Sequence, residues 1–243
     1  MRKLLVLIVA AMVGIAAFGQ DVDAIVDAYS ENLVFETSRG EAEMLVKNQY
    51  GERTIRMIIH TMGKADVLVE YTSRAEQGQK ILRSENDIYL YYPDASEIVR
   101  LQGAALRQSL QGSDVSYEDL TGGKKLQDTY DIDYISMEGV EGFDTHRLMF
   151  VAKSRDVPYP RQELWIDAET YVLRKSKLYS LSGRLIKEVK TLETRLIAGK
   201  TVATKVSIVD VLKKDTETVL TYTSLEVDIE LDRNLFSLEE LTF

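Results

Sequence analysis

The 243-residue chain contains two histidines, His60 and His146, and no cysteine. Both histidines fall inside alternating segments that read as strands. Without a thiol there is no thiolate nucleophile, no disulfide and none of the usual soft metal sites. Ser113 beside Asp114 is the pairing that could supply a nucleophile and an acidic partner. No G-x-S-x-G elbow surrounds it, and a cap on the backbone N–H groups of Val115, Ser116 and Tyr117 accounts for both residues. Glu118 and Asp119 are adjacent, and adjacent carboxylates do not converge on one substrate bond; they read as solvated charges at a helix end. A base, an orienting group and an oxyanion loop are not found together. The chain therefore reads as a non-enzyme with no cofactor and no metal.

What the residues can do instead is present apolar surface. In 53–62, Ile55, Met57 and Ile59 point one way while Thr54, Arg56 and His60 point the other. Val67, Val69 and Tyr71 oppose Asp66, Glu70 and Thr72, and Ile88, Leu90 and Tyr92 share one face of the segment 87–92. This alternation predicts a sheet with one greasy and one wet face. Met44, Met57, Met62, Tyr89, Tyr91, Tyr92 and Met149 are flexible or large enough to line an adaptable surface, although methionine in strands also serves ordinary cores.

Residues 88–120 hold the elements that position this chemistry. Pro93-Asp94-Ala95-Ser96 supplies turn chemistry, and 97–101 reads as the returning strand of a hairpin. After Gly103 the period lengthens to about 3.6. Ala105, Leu106, Ser109 and Leu110 then fall on one side of a helix too short to be stable unpacked, which makes it an apolar flap. Gly112-Ser113-Asp114 ends that helix and opens the capped turn.

Around this stretch the spacing predicts an amphipathic helix over 21–35, capped by Asp21, with Val22, Ile25, Val26, Tyr29 and Leu33 on one side. Strands follow at 41–50, 53–62, 65–73, 79–84, 87–92 and 96–101. After Thr121-Gly122-Gly123, further strands are expected at 130–138, 143–153, 161–167, 171–179, 184–196, 201–213 and 217–228. The connections are short and hairpin-like, including Ser84-Glu85-Asn86, and no helix intervenes outside the flap. One large curved antiparallel sheet is implied. Val157-Pro158-Tyr159-Pro160 reads as a stiff loop at its rim.

The start of the chain reads as a cleavable leader. Met1-Arg2-Lys3 precedes a short apolar run, and Ala17 and Gly19 fit cleavage after Gly19. That division gives a signal peptide at 1–19 and a single domain at 20–243, exported to the periplasm and without a lipid-anchored cysteine. Losing Arg2 and Lys3 takes the formal charge from -9 to -11. Such a balance disfavours nucleic acid and anionic membrane surfaces as partners.

The run Gly112-Ser113-Asp114-Val115-Ser116-Tyr117-Glu118-Asp119-Leu120, with Tyr92-Pro93 and Arg100-Leu101 before it, resembles the LolA/LolB-like outer-membrane lipoprotein-sorting family. Gly78-Gln79-Lys80-Ile81-Leu82, Glu163-Leu164-Trp165-Ile166-Asp167, Thr204-Lys205, Leu235-Phe236-Ser237 and Leu241 extend the likeness. The resemblance implies an incomplete β-barrel whose open side is plugged by helices, around an apolar cavity for acyl chains. It implies lining by Ile55, Met57, Ile59, Val67, Val69, Tyr71, Ile88, Leu90 and Tyr92, with Leu106 and Leu110 on the lid.

It also implies a latch. Gly112, Ser113, Asp114 and Tyr117 would form the cap, and a barrel arginine would hold the lid; Arg53, Arg56 and Arg100 are candidates, with Arg100 best placed by the signature. Partners implied are lipoprotein or lipid acyl chains, an inner-membrane transporter of the ABC lipoprotein-releasing or RND/MMPL type, and an outer-membrane acceptor. Two alternatives stand beside the carrier: an accessory lipid-binding subunit of an RND/MMPL-type exporter, and a periplasmic scaffold whose sheet closes on its own side chains.

Overall fold

Among the described residues, period-two alternation and short turns produce thirteen antiparallel strands in one open, curved sheet. The computed structural model describes residues 21–84, 87–121, 125–155 and 157–242. The predicted leader lies outside these residues, as do parts of the turns expected at 84–86 and 121–123. In chain order the strands of the first half are β1 (Thr37–Asn48), β2 (Gly51–Met62), β3 (Asp66–Tyr71), β4 (Lys80–Ser84), β5 (Asp87–Tyr92) and β6 (Glu97–Leu101). Those of the second are β7 (Tyr130–Val140), β8 (Phe143–Ala152), β9 (Arg161–Asp167), β10 (Leu173–Tyr179), β11 (Leu185–Ile197), β12 (Lys200–Asp210) and β13 (Glu217–Val227). Gly63 and Gly199, at φ 59° and 80°, supply the left-handed backbone that two of the tight turns require.

The spatial order runs β6-β5-β4-β3-β2-β1-β13-β12-β11-β10-β9-β8-β7. The first strand therefore joins the last, with Met44 opposite Leu220 and Ala42 opposite Tyr222. At that seam a Cβ on Gly40 would lie 2.7 Å from the Tyr222 ring, so only glycine lets the ring lie flat there. The order also makes β6 and β7 the two edges. The chain between them must cross a whole face of the sheet.

That face, the inner one, carries Ile55, Met57, Ile59, Val69, Tyr71, Ile88 and Leu90 in a single apolar cluster. The helix α1 (Val22–Asn32) covers its other half. Asp21 accepts a bond from the Ala24 N–H at 3.1 Å, and Ile25, Val26 and Tyr29 pack with Tyr130, Leu148, Phe150, Leu164 and Ile166. The end of α1 is tied to a hairpin tip: Lys200 Nζ donates to the carbonyls of Glu31 and Val34 at 2.9 and 2.5 Å. A cation at a helix C-terminus satisfies carbonyls that have no partner within the helix.

The outer face departs from the simple greasy/wet expectation. Leu68, Leu82, Met62, Tyr89 and Tyr91 form an apolar patch there, covered by Phe236 and Leu241 from two C-terminal 3-10 turns, Arg233–Phe236 and Glu240–Thr242. The reason is visible in the consecutive apolar residues 67–69 and 81–82, which feed both faces at once. Met62, Tyr89 and Tyr91 are thus on the side opposite the proposed lining. Met149 is beside Arg161, whose Nε lies 3.2 Å from its sulfur.

Candidate functional site

The flap descends from β6 onto the inner face. In place of one α-helix it makes two 3-10 turns, Gly103–Arg107 and Leu110–Gly112, separated by extended backbone at Gln108. Gly103, Gln111 and Gly112 all have positive φ, which no continuous α-helix tolerates. The segment instead folds back on itself. The Leu110 N–H donates to the Val115 carbonyl at 2.7 Å, and Ser109 bridges Ser116.

This fold-back drives Leu110 inward until it is 0% exposed, in the same cluster as Met44, Met57 and Val115. Leu106, Val67 and Tyr117 pack at the margin of that cluster. Tyr92 is 37% exposed and sits at the rim, beside Gln111 and Tyr117 at a recess of about 10 Å³. Burial and the neighbouring Tyr92 push the Tyr117 phenol up. The structure thus brings Ile55, Met57, Ile59, Val67, Val69, Tyr71, Ile88, Leu90, Leu106 and Leu110 together, with Tyr92 outside them.

Polar side chains hold the flap down. Asp114 does not cap the following turn as the sequence suggested. Its backbone N–H donates to Thr218 Oγ1 at 2.9 Å, and its carboxylate accepts from Thr218 at 3.3 Å and from Lys213 Nζ at 3.2 Å. Lys213 also donates to the Ser113 carbonyl at 2.8 Å and to Ser109 Oγ at 3.0 Å. A buried carboxylate is costly unless a charged partner meets it, and the β12–β13 turn supplies one. Capping falls to others: Ser113 Oγ accepts from the Val115 N–H at 3.1 Å, and Ser116 and Asp119 exchange side-chain-to-backbone bonds at 3.1 and 3.0 Å around α2 (Tyr117–Thr121).

Of the three arginines, Arg53 reaches the flap, donating to the Gln111 carbonyl and pairing with Glu76 at 3.5 Å. Arg100 pairs instead with Asp87 at 2.5 Å, and Arg56 with Glu43 at 2.7 Å. Strand parity explains the choice. Arg53 alternates in phase with Ile55, whereas Arg56 is out of phase, and Arg100 faces away from Leu101 and the flap. That signal was available in the sequence.

Two further participants were not foreseen. Lys187, buried on the inner face, pairs with Asp119, and Tyr159 donates to the same carboxylate at 3.1 and 3.2 Å. Asp119, although exposed, is therefore engaged with the sheet rather than free. Burial pushes the Glu118 carboxyl up, Arg107 and Arg83 pulling the other way and Asp119 adding to the rise.

A raised carboxyl means that closure favours the protonated form. That contribution is complete below the unfolded value, about 4.3, and is lost as pH rises through the raised folded value. Glu118→Gln is expected to flatten the pH dependence of flap opening above about pH 4.3. Amide exchange at Val115 and Ser116, corrected for intrinsic rates, reads it; an unchanged profile removes Glu118 from closure.

The histidines stand apart from Ser113. His60 bonds Glu70 at 3.2 Å on the outer face, and His146 lies 5.9 Å from the Tyr134 ring. Among the described residues no group of three or more His, Asp or Glu could hold a metal ion.

A family model described as "Uncharacterized protein" matches residues 63–242. No curated protein matches the chain. Three solved structures share its fold. One is a domain designated outer membrane lipoprotein-sorting from Vibrio parahaemolyticus, 20% identical, TM-score 0.83, covering 90% of this chain and 97% of that one. A DUF1329 family protein from Desulfovibrio piger is 23% identical, TM-score 0.83, over 90% and 98%. A LolA superfamily protein from Nitrosomonas europaea is 22% identical, TM-score 0.76, over 90% and 98%. The fold is therefore LolA-like.

Proposed function

The chain belongs to the uncharacterized-protein family whose model it matches, and from that premise, its LolA-like fold and its clasped flap we propose that it carries acyl chains of lipids or lipoproteins across the periplasm towards the outer membrane. One observation carries the reading. Leu110 and Val115 of the flap share an apolar cluster with the inner face, while the flap's polar ties to the sheet run through side chains of Arg53, Lys187, Lys213 and Thr218. Such a cover can be exchanged for another apolar occupant without breaking a strand ladder.

The energetics suit transfer. Each buried CH₂ contributes about 0.8 kcal/mol, so one long acyl chain gains on the order of 10 kcal/mol on leaving water. A membrane offers nearly the same gain, and small differences between membrane, carrier and acceptor then set the direction. A flap that competes with the acyl chain for the same face keeps the net affinity moderate. We assign the acyl-facing role to Ile55, Met57, Ile59, Val67, Val69, Tyr71, Ile88 and Leu90. Leu106 and Leu110 act as the cover, and Arg53, rather than Arg100, acts as the latch. Loading falls to an inner-membrane transporter of the ABC or RND/MMPL type, and delivery to an outer-membrane acceptor.

Native protein isolated without detergent is expected to have a mass beginning at Gln20, to release acyl lipid on organic extraction, and to bind an apolar fluorophore saturably. No extractable lipid together with no saturable site would leave the self-packed scaffold as the better account.

A further inference from the structure

Between the flap and strands β11 and β12 lies a recess of about 180 Å³. Pockets for drug-sized ligands run to about 300–1,000 Å³, so this one has room for a small polar group and none for a long chain. Val115, a member of the inner apolar cluster, forms part of its wall, so the recess borders the proposed acyl-chain face directly.

Its charges are unequally committed. Lys187, in its wall, is taken by Asp119 of the flap. Asp114 and Asp210 are both met by Lys213, at 3.2 and 3.8 Å. Arg107, on the flap and exposed, makes no ion pair or hydrogen bond among the described residues, and Glu118 is the carboxylate whose charge it moderates. A guanidinium at the lip of a recess offers a planar fork of donors suited to a tetrahedral oxyanion. Ser109 Oγ accepts from Lys213, which leaves its own proton to donate into the same space.

We propose that this recess binds the phosphate ester of a lipid headgroup through Arg107 and Ser109 while the acyl chain lies under the flap, so that the cargo class is a phosphate-bearing lipid. This rests on the acyl-carrier reading. Two sources share the chemistry, a lipid headgroup and a free phosphate ester, and continuity with the apolar cluster favours the lipid.

The test is displacement of a saturably bound apolar fluorophore from the full mature protein. Three competitors are compared: a palmitoyl lysophosphatidic acid, monopalmitoylglycerol with the same chain and no phosphate, and glycerol 3-phosphate. The phosphate-bearing lipid is expected to compete at about tenfold lower concentration than the monoacylglycerol, the size of one charge-assisted contact. Arg107→Gln should bring that ratio close to one, and Arg107→Lys, which keeps the charge but loses the fork, should give an intermediate ratio.

A ratio near one in the native protein, or one that survives Arg107→Gln, overturns the proposal. Direct binding of glycerol 3-phosphate as tight as that of the lipid overturns the lipid assignment and leaves a free-phosphate site. If neither lipid displaces the fluorophore, the acyl-carrier reading itself fails, a result distinct from loss of the ratio alone. Thermal unfolding measured beside each variant separates misfolding from lost recognition.

Discussion

Leu110→Glu is expected to release the flap and leave the sheet folded, whereas Leu90→Glu is expected to unfold the protein. Both leucines are buried in one cluster, and burial of each contributes roughly 1.5 to 3 kcal/mol. Their escape routes differ. Leu90 lies in β5, paired with Ile81 of β4 and Val99 of β6, and its side chain cannot leave the inner face unless those ladders break. A glutamate there is either buried without a partner or extracted by unfolding, at a cost of about 4 kcal/mol or more.

Leu110 lies on a segment whose backbone pairs with its own neighbours, Ser109 with Ser116, and with no strand of the sheet. The flap can swing out and carry the charge into water. The penalty is then capped by the flap's own contacts. Thermal unfolding should show a modest loss for Leu110→Glu and a severe one for Leu90→Glu, while retention of acyl probe collapses in Leu110→Glu. If Leu110→Glu unfolds the protein as badly as Leu90→Glu and probe binding per folded molecule is unchanged, the flap is core and not a cover.

Lys213→Ala should speed release of bound probe by roughly 5- to 30-fold, the factor that one or two kcal/mol produces. Lys213 holds Ser109, Ser113 and Asp114 simultaneously. Removing one partner of a fully buried pair costs about 3–5 kcal/mol. Lys213 is a third exposed, and solvent screening lowers the expected cost to about 1–2 kcal/mol. Thr218 still bonds Asp114 in the variant, so the fold should survive.

Lys214→Ala is the control. Its contact with Asp215 is 3.9 Å long and lies in solvent, so it should change nothing measurable. Stopped-flow release for the two variants, measured at low and high salt, decides the matter. Equal release rates would remove the clasp from the mechanism.

The strand plan was legible because it is local. Period-two alternation placed Ile55, Met57 and Ile59 on one face, and short turns made sequence neighbours into spatial neighbours from β1 to β6 and from β7 to β13. Asp21 was legible as a cap for the same reason, its partner Ala24 being three residues away. The parity that separates Arg53 from Arg56 belongs here too, since it needs no more than the alternation already used.

Other features had no local signature. Local chemistry at Ser113 and Asp114 pointed to a cap, which Ser113 supplies, yet Asp114 finds Thr218 and Lys213, about a hundred residues later in the chain. The pairing of β1 with β13 determines that meeting, because it brings the β12–β13 turn beside β1 and under the flap. The same pairing makes β6 and β7 edges and so forces the flap across the inner face. Phe236 and Leu241 entered the sequence reading only as part of a family likeness, and only the docked structure shows them closing the outer patch over Leu68 and Leu82.

The sequence by itself determined where the strands run, which residues alternate together on them, and the absence of thiol chemistry, since these depend on backbone periodicity and residue type. The tertiary structure decided the order of the strands and hence the partners of Arg53, Asp114, Asp119 and Lys187. A charge pairs with whatever opposite charge the fold brings within a few ångströms, and that distance is set by long-range strand pairing, which short-range periodicity does not specify.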